Sequence, residues 1–182
     1  MARKTKRDWF VVGIQILLAS GPQGLTIDAL CQDLQVTKGS FYHHFGNYER
    51  FKQQFLTFYE QEGTLDIISQ LANLATAKEK LNGLLAIIVN FSDKQKGEPD
   101  VAMRAWALQD TAVRQVQMRV DGRRRAYVQT LCEEITGDPA QAKTAAQLLY
   151  AILVGCEQMQ PPIVGKELHQ LFNECLRLYG LD

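Results

Sequence analysis

Apolar residues recur at helical spacing from one end of the chain to the other. Phe10, Ile14, Leu17 and Leu18 fall at i, i+4, i+7 and i+8 and predict a first helix over about Lys4 to Ser20, stopped by Gly21-Pro22. Thr26 then caps a short helix carrying Ile27, Leu30 and Leu34, and Thr37 caps another carrying Phe41 and Phe45. Asn47 starts a longer one with Phe51, Phe55, Phe58 and Tyr59 on one face, ending near Gly63.

The second half repeats the pattern at greater length. Thr76 and Glu79 form a capping box before Leu81, Leu84, Leu85, Ile88 and Phe91. Lys94 to Pro99 reads as a polar turn, followed by Val101 to Asp110 and Val113 to Ile135 as one or two helices. Asp138-Pro139 restarts the helical pattern with an N-cap and a proline at the first helical position. Pro161-Pro162 ends that helix, and a last one carries Leu168, Leu171, Phe172, Cys175 and Tyr179. No stretch alternates like a strand. The pattern predicts an all-α protein of about nine helices: a three-helix module at 1–48, a bundle at 49–182, and helix 47–63 connecting them.

The two short capped helices joined by Leu34-Gln35-Val36 are spaced as a helix-turn-helix. One helix fills the major groove of DNA and only its first two turns reach base edges, which suits so short a second helix. The string is also similar, through Thr26, Ile27, Lys38, Gly39, Ser40, Phe41, Tyr42, His44 and Phe45, to the DNA-binding domain of the TetR family of transcriptional regulators. The likeness covers about residues 5–58; the rest of the chain resembles that family only in helix count, length and the placement of its breaks.

The resemblance implies that Thr26, Thr37, Lys38, Gly39, Ser40, Tyr42, His43 and His44 serve the DNA-facing side. Their chemistry agrees. Tyr42 offers a rigid hydroxyl, Lys38 a charge, Thr37 and Ser40 short donors near a helix N-terminus, and the histidines further donors. Gly39 would let backbone come close to DNA or to the preceding helix. The family usually has a lysine where this chain has Tyr48, so Tyr48, Arg50 or Lys52 would take over that phosphate contact. A basic start (Arg3, Lys4, Lys6, Arg7) would add others. The alternative for the exposed set is a plain solvated helix face.

Charge changes this picture little. There are 20 Lys+Arg and 20 Asp+Glu in 182 residues, so no polycation is present, and residues 1–60 hold seven Lys/Arg against five Asp/Glu. A mildly basic module predicts ordinary, salt-sensitive affinity. No uncharged apolar run reaches 18 residues, so no membrane span is expected. The basic N-terminus leads into an amphipathic segment interrupted by Gln15, unlike a signal peptide. Four scattered cysteines without a CxxC pair fit a reducing cytoplasm better than a disulfide framework or a zinc site. With no HExxH, phosphate loop or Glu-x-x-His set, the sequence predicts no enzyme, catalytic set, metal or cofactor.

For the bundle, the resemblance implies dimerisation and a small-molecule pocket. The last two helices are apolar over more than one stripe (Leu148, Leu149, Ile152, Leu153, Val154; Leu168, Leu171, Phe172, Leu176, Leu178), which requires cover on most sides. A second copy of the chain would supply it; burial inside one chain is the alternative. Phe91, Met103, Arg104, Trp106, Gln109, Asp110, Tyr127 and Tyr150 mix polar and large apolar groups as an effector pocket does, and as any helical core edge does. Arg119, Arg123, Arg124 and Arg125, with Arg104 and Arg114 upstream, read as a site for an anionic effector, as a contact across the dimer, or as a solvated face paired to Asp121, Glu133 and Glu134. The expectation is a dimeric repressor on a palindromic operator, released by a small-molecule effector. The alternative is an all-helical interaction module that keeps the helix-turn-helix without binding an operator.

Overall fold

A computed structural model describes residues 4–92 and 99–182, and these contain helices and no strand. The all-α expectation holds. The elements are α1 (Lys6–Gly24), α2 (Ile27–Leu34), α3 (Lys38–Phe45), α4 (Tyr48–Glu60), a π-helical turn (Gln61–Leu65), α5 (Asp66–Leu71), α6 (Ala77–Ser92), α7 (Pro99–Ala107), α8 (Thr111–Thr136), α9 (Pro139–Gln158) and α10 (Gly165–Leu178). Arg3 and most of the polar turn drawn at Lys94 to Pro99 lie outside the described residues; Pro99 opens α7.

The local signals act as their chemistry dictates, with informative exceptions. Asn47 caps α4 by accepting from Arg50 N at 2.9 Å, and Asp138 caps α9 through Ala140 N and Gln141 N. In the Thr76–Glu79 box, Glu79 N donates to Thr76 Oγ1 at 3.1 Å and Thr76 N donates to Glu79 Oε2 at 3.0 Å. The stop at Gly21-Pro22 is real but local. Gly21 leaves helical geometry at φ +66°, and Pro22 begins one more turn, reaching Gly24. Gly63 does not end the helix it follows. The turn widens there, leaving a carbonyl open, and the Gly63 carbonyl accepts from Arg124 Nη2 at 2.9 Å while Thr64 Oγ1 accepts from Arg124 Nε at 3.0 Å.

The described residues of Met1–Glu62 and Glu98–Gln117 form one compact unit, and those of Gly63–Gly97 and Met118–Asp182 a second. The first unit takes in α4 and α7 as well as α1 to α3. Its core is aromatic. Trp9, Phe41, Phe51 and Phe55 are fully buried, and Trp9 meets Phe41 and Phe45 edge to face at 5.6 and 5.8 Å between centroids. Gly13 lets α1 close on α4, since a Cβ there would stand 3.0 Å from the Phe55 ring. The second core is aliphatic and small: Leu81, Leu131, Ala142, Ala145, Leu168 and Phe172 among others, with Cys132, Cys156 and Cys175. Burial pushes the Cys132 thiol up to about 11.

Candidate nucleic-acid interface

Why α3 presents the face it does follows from its alternation of roles. Phe41 and Phe45 point into the aromatic core, at 0% and 3% exposure, and fix the helix from behind. That leaves Lys38, Gly39, Tyr42 and His43 exposed and Ser40 and His44 half-buried. Tyr42 keeps 49% of its surface open although its ring lies edge-on to Phe41. His43 and His44 diverge as adjacent helical positions must. The His44 ring leans on Trp9, 6.0 Å between centroids, and His43 stands outward.

The two N-capping threonines behave differently. Thr26 Oγ1 accepts from Ala29 N at 3.2 Å and closes the first turn of α2. Thr37 has the extended backbone of an N-cap (φ −83°, ψ 157°), yet its hydroxyl makes no capping bond. The first amides of α3 and the Thr37 hydroxyl are thus left without that bond, at the helix end that favours anions. Of the two reasons offered for Gly39, the preceding helix is not one: a Cβ there would meet only Thr37 Oγ1, at 3.6 Å.

Several expected phosphate groups have other partners. Tyr48 is half-buried, and its hydroxyl donates to the Leu25 carbonyl at 2.8 Å, tying the start of α4 to the segment before α2. Burial, then the charges of Glu49 and Asp110, push that phenol above its ordinary range. A phosphate could be reached by this proton only if the bond to Leu25 broke. Lys52 Nζ sits 2.6 Å from Asp110 Oδ2, with only 13% of its side chain exposed. Arg50 remains exposed. Lys6 and Arg7 belong to α1 rather than to a free arm: Lys6 donates to Gln54 Oε1 at 2.7 Å, and Arg7 holds Glu62 with two bonds of 3.0 and 2.7 Å. Lys38 Nζ lies 2.6 Å from Asp28 Oδ1. None of these long-range partners has a signal in the local pattern.

The eight residues expected at an effector pocket divide between the units. In the first, Met103 and Trp106 are buried at 0% and 6%, and Trp106 packs on Phe55. Arg104 is half-buried. Gln109 accepts from Gln23 Nε2 at 3.2 Å. Asp110 Oδ1 accepts from Ala112 N and Val113 N, capping α8. Beside them Tyr59 donates to Asp100 and lies 3.1 Å from Gln117 Oε1, a buried polar link that sequence reasoning missed. In the second unit Phe91 is 62% exposed, and Tyr150 donates to Asp121 Oδ1 at 2.8 Å. The Tyr127 hydroxyl is buried without a hydrogen-bond partner among the described residues, and burial raises its pKa. Tyr150 lines an apolar crevice with Leu84, Ile88, Val128 and Phe172, holding about 20 Å³, one water's worth of space. An effector of drug size would need those helices to move apart.

The breadth of the apolar stripes on the last two helices is partly internal. Leu149, Leu153, Leu168, Phe172 and Leu176 fill the second core, whereas Leu148, Leu171 and Leu178 are 42%, 38% and 69% exposed. No described helix is long and apolar enough to cross a membrane, and no group of three or more His, Cys, Asp or Glu gathers among the described residues in a way that could hold a metal ion.

No family model matches the chain, and no curated protein sequence matches it. Solved structures do. Reduced NemR from E. coli superposes with a TM-score of 0.77 at 19% identity, covering 94% of this chain and 95% of its own. A TetR-family transcriptional regulator from Streptomyces coelicolor gives 0.76 at 15% identity over 97% and 93%. A TerR/AcrR-family transcriptional regulator from Aquifex aeolicus gives 0.71 at 16% identity over 98% and 99%. The chain has the fold of TetR-family regulators along nearly its whole length.

Proposed function

We propose that the chain is a sequence-specific DNA-binding transcriptional regulator of TetR type, with α3 as the helix that enters the major groove. The observation that carries this is the division of labour on α3. Phe41 and Phe45 are anchored in an aromatic core, while Lys38, Gly39, Tyr42 and His43 face outward beside an N-terminus whose threonine makes no capping bond. A solvated face has no need of a half-exposed tyrosine or of a helical glycine whose Cβ would make only an ordinary contact, with Thr37 Oγ1. Thr26, Thr37, Ser40 and Tyr42 would donate to phosphate, and His43 and His44 to phosphate or base acceptors. Tyr48 acts in this reading by fixing α4 under the reader.

A second copy of the chain would cover Leu148, Leu171 and Leu178 and pair two readers on a palindrome with half-sites roughly 34–36 Å apart or a multiple of that. The regulator would be a repressor: a small effector preferring a conformation with misplaced readers weakens DNA binding by the same free energy with which DNA weakens effector binding.

The test is a salt series of the purified protein on DNA from upstream of its own coding region, with a scrambled duplex and Tyr42→Ala as controls. Expected is tight binding by wild type only, the scrambled duplex weaker by roughly a thousandfold or more, and a symmetric footprint. Equal, weak binding in every arm, including fragments selected from the whole genome, would overturn the reading. That outcome would favour the interaction-module alternative, for which the pairing of Arg7, Lys38 and Lys52 with carboxylates speaks.

A further inference from the structure

One charge at the reading face has the wrong sign for DNA. Asp28 stands in the first turn of α2, and its carboxylate reaches across to Lys38, the first residue of α3, at 2.6 Å. Both side chains are open to solvent, at 73% and 59%. The bond to Asp28, and then its charge, hold the Lys38 ammonium above its ordinary pKa. The N-terminus of α2 would by itself favour an anion, and Asp28 puts a negative charge of the protein's own in that first turn. Lys38 is therefore already engaged by an anion, and it is a cation the module has few of to spare: Arg7 and Lys52 are each paired elsewhere.

We propose, on the reading that α3 docks on DNA, that Asp28 is a specificity-determining residue which withholds Lys38 from phosphate in non-cognate complexes. Non-specific affinity comes almost wholly from cations neutralising phosphates, so engaging one cation and presenting one anion weakens it directly. In the cognate complex, base contacts fix the register, and a phosphate held beside Lys38 competes with Asp28 on favourable terms. An exposed ion pair is weak in water, so the exchange is easy once the phosphate is positioned. The pair acts as a bias against wrong sites, and removing the carboxylate gives a tighter but less selective reader.

The experiment compares wild type, Asp28→Asn, Lys38→Gln and the double variant. Each is titrated in a salt series against the duplex that wild type selects from genomic fragments and against a scrambled duplex of equal length. Thermal midpoints serve as a fold check, and Asp28→Ser replaces Asp28→Asn if the latter melts early. Asp28→Asn is expected to bind the scrambled duplex about tenfold more tightly, with a salt slope steeper by about one ion. The selected duplex gains less, so the specificity ratio falls. In the Lys38→Gln background the gain shrinks, because no ammonium is released. If wild type selects a duplex but the carboxylate change alters neither ratio nor slope, or raises both affinities equally, this proposal falls and the DNA reading stands. If wild type prefers no fragment, both fall.

Discussion

The two units are built from different materials. The first sets Trp9, Phe10, Phe41, Phe45, Phe51 and Phe55 ring against ring; the second packs leucine, alanine and cysteine, with Phe172 as its one fully buried large side chain of aromatic type. Aromatic side chains have few rotamers and directional edge-to-face contacts, so a cluster of them holds a neighbouring helix in one pose. That is what an eight-residue helix needs, being too short to be stable alone. Small and aliphatic side chains fill space without fixing direction as sharply. The first unit thus gives the short α3 the more directional support.

The largest expected effect probes that contrast directly. Trp9→Ala removes a fully buried ring that touches both anchors of α3, and should cost about 3–5 kcal/mol. DNA binding should fall with it. Phe172→Ala, an equally buried deletion in the second unit, should cost a similar amount in denaturant melts yet leave the α3 face as it is in the protein that remains folded. If Phe172→Ala impaired α3 as much as Trp9→Ala does at matched stability, the aromatic cluster would not be the source of its pose.

A smaller effect is expected at the Lys52–Asp110 pair, which joins α4 to the start of α8 within the first unit. Burial raises the Asp110 pKa, but the Lys52 bond and the amides of Val113 and Ala112 outweigh it, and the carboxyl sits below its ordinary 3.8. A carboxyl depressed in the folded state stabilises at pH above its unfolded value and loses that contribution as pH falls through the folded one. Asp110→Asn should therefore cost about 1–3 kcal/mol at neutral pH. Its difference from wild type should shrink below pH 3.8, as followed by circular dichroism melts.

The smallest and sharpest comparison is between the caps. Thr26→Ala should cost about 1 kcal/mol, since its hydroxyl closes the first turn of α2. Thr37→Ala should change thermal stability by only a few tenths of a kcal/mol, because its hydroxyl makes no such bond, while still weakening DNA binding. A full capping cost at Thr37 would remove the argument that its hydroxyl is kept for a ligand.

What the amino-acid pattern makes legible is local. Helix existence, the capping box at Thr76–Glu79 and the short helix that follows Thr37 and ends at Phe45 each depend on residues within a few positions of one another. The box at Thr5–Asp8 has the same logic but lies at the edge of a basic run, where the charges draw the eye instead. Gly63 reads as a stop because glycine is a poor helix residue, whereas Arg124, 61 positions later, bonds its carbonyl in the widened turn there. The partners of Tyr48, Lys52 and Lys38 are likewise invisible to periodicity. Candidate cations can be counted in a sequence; their availability is a property of the fold.

Trp9 and Trp106, the two tryptophans of the chain, both lie in the first unit, and none lies in the second. Trp9 rests against the buried side of α3, with the His44 imidazole 6.0 Å from its ring. The protein therefore carries its own optical label at the place where contact with DNA would be felt. With Trp106 replaced by phenylalanine, emission would come from one fluorophore beneath α3, and a shift or quench on mixing with a duplex would report on that helix without any dye attached.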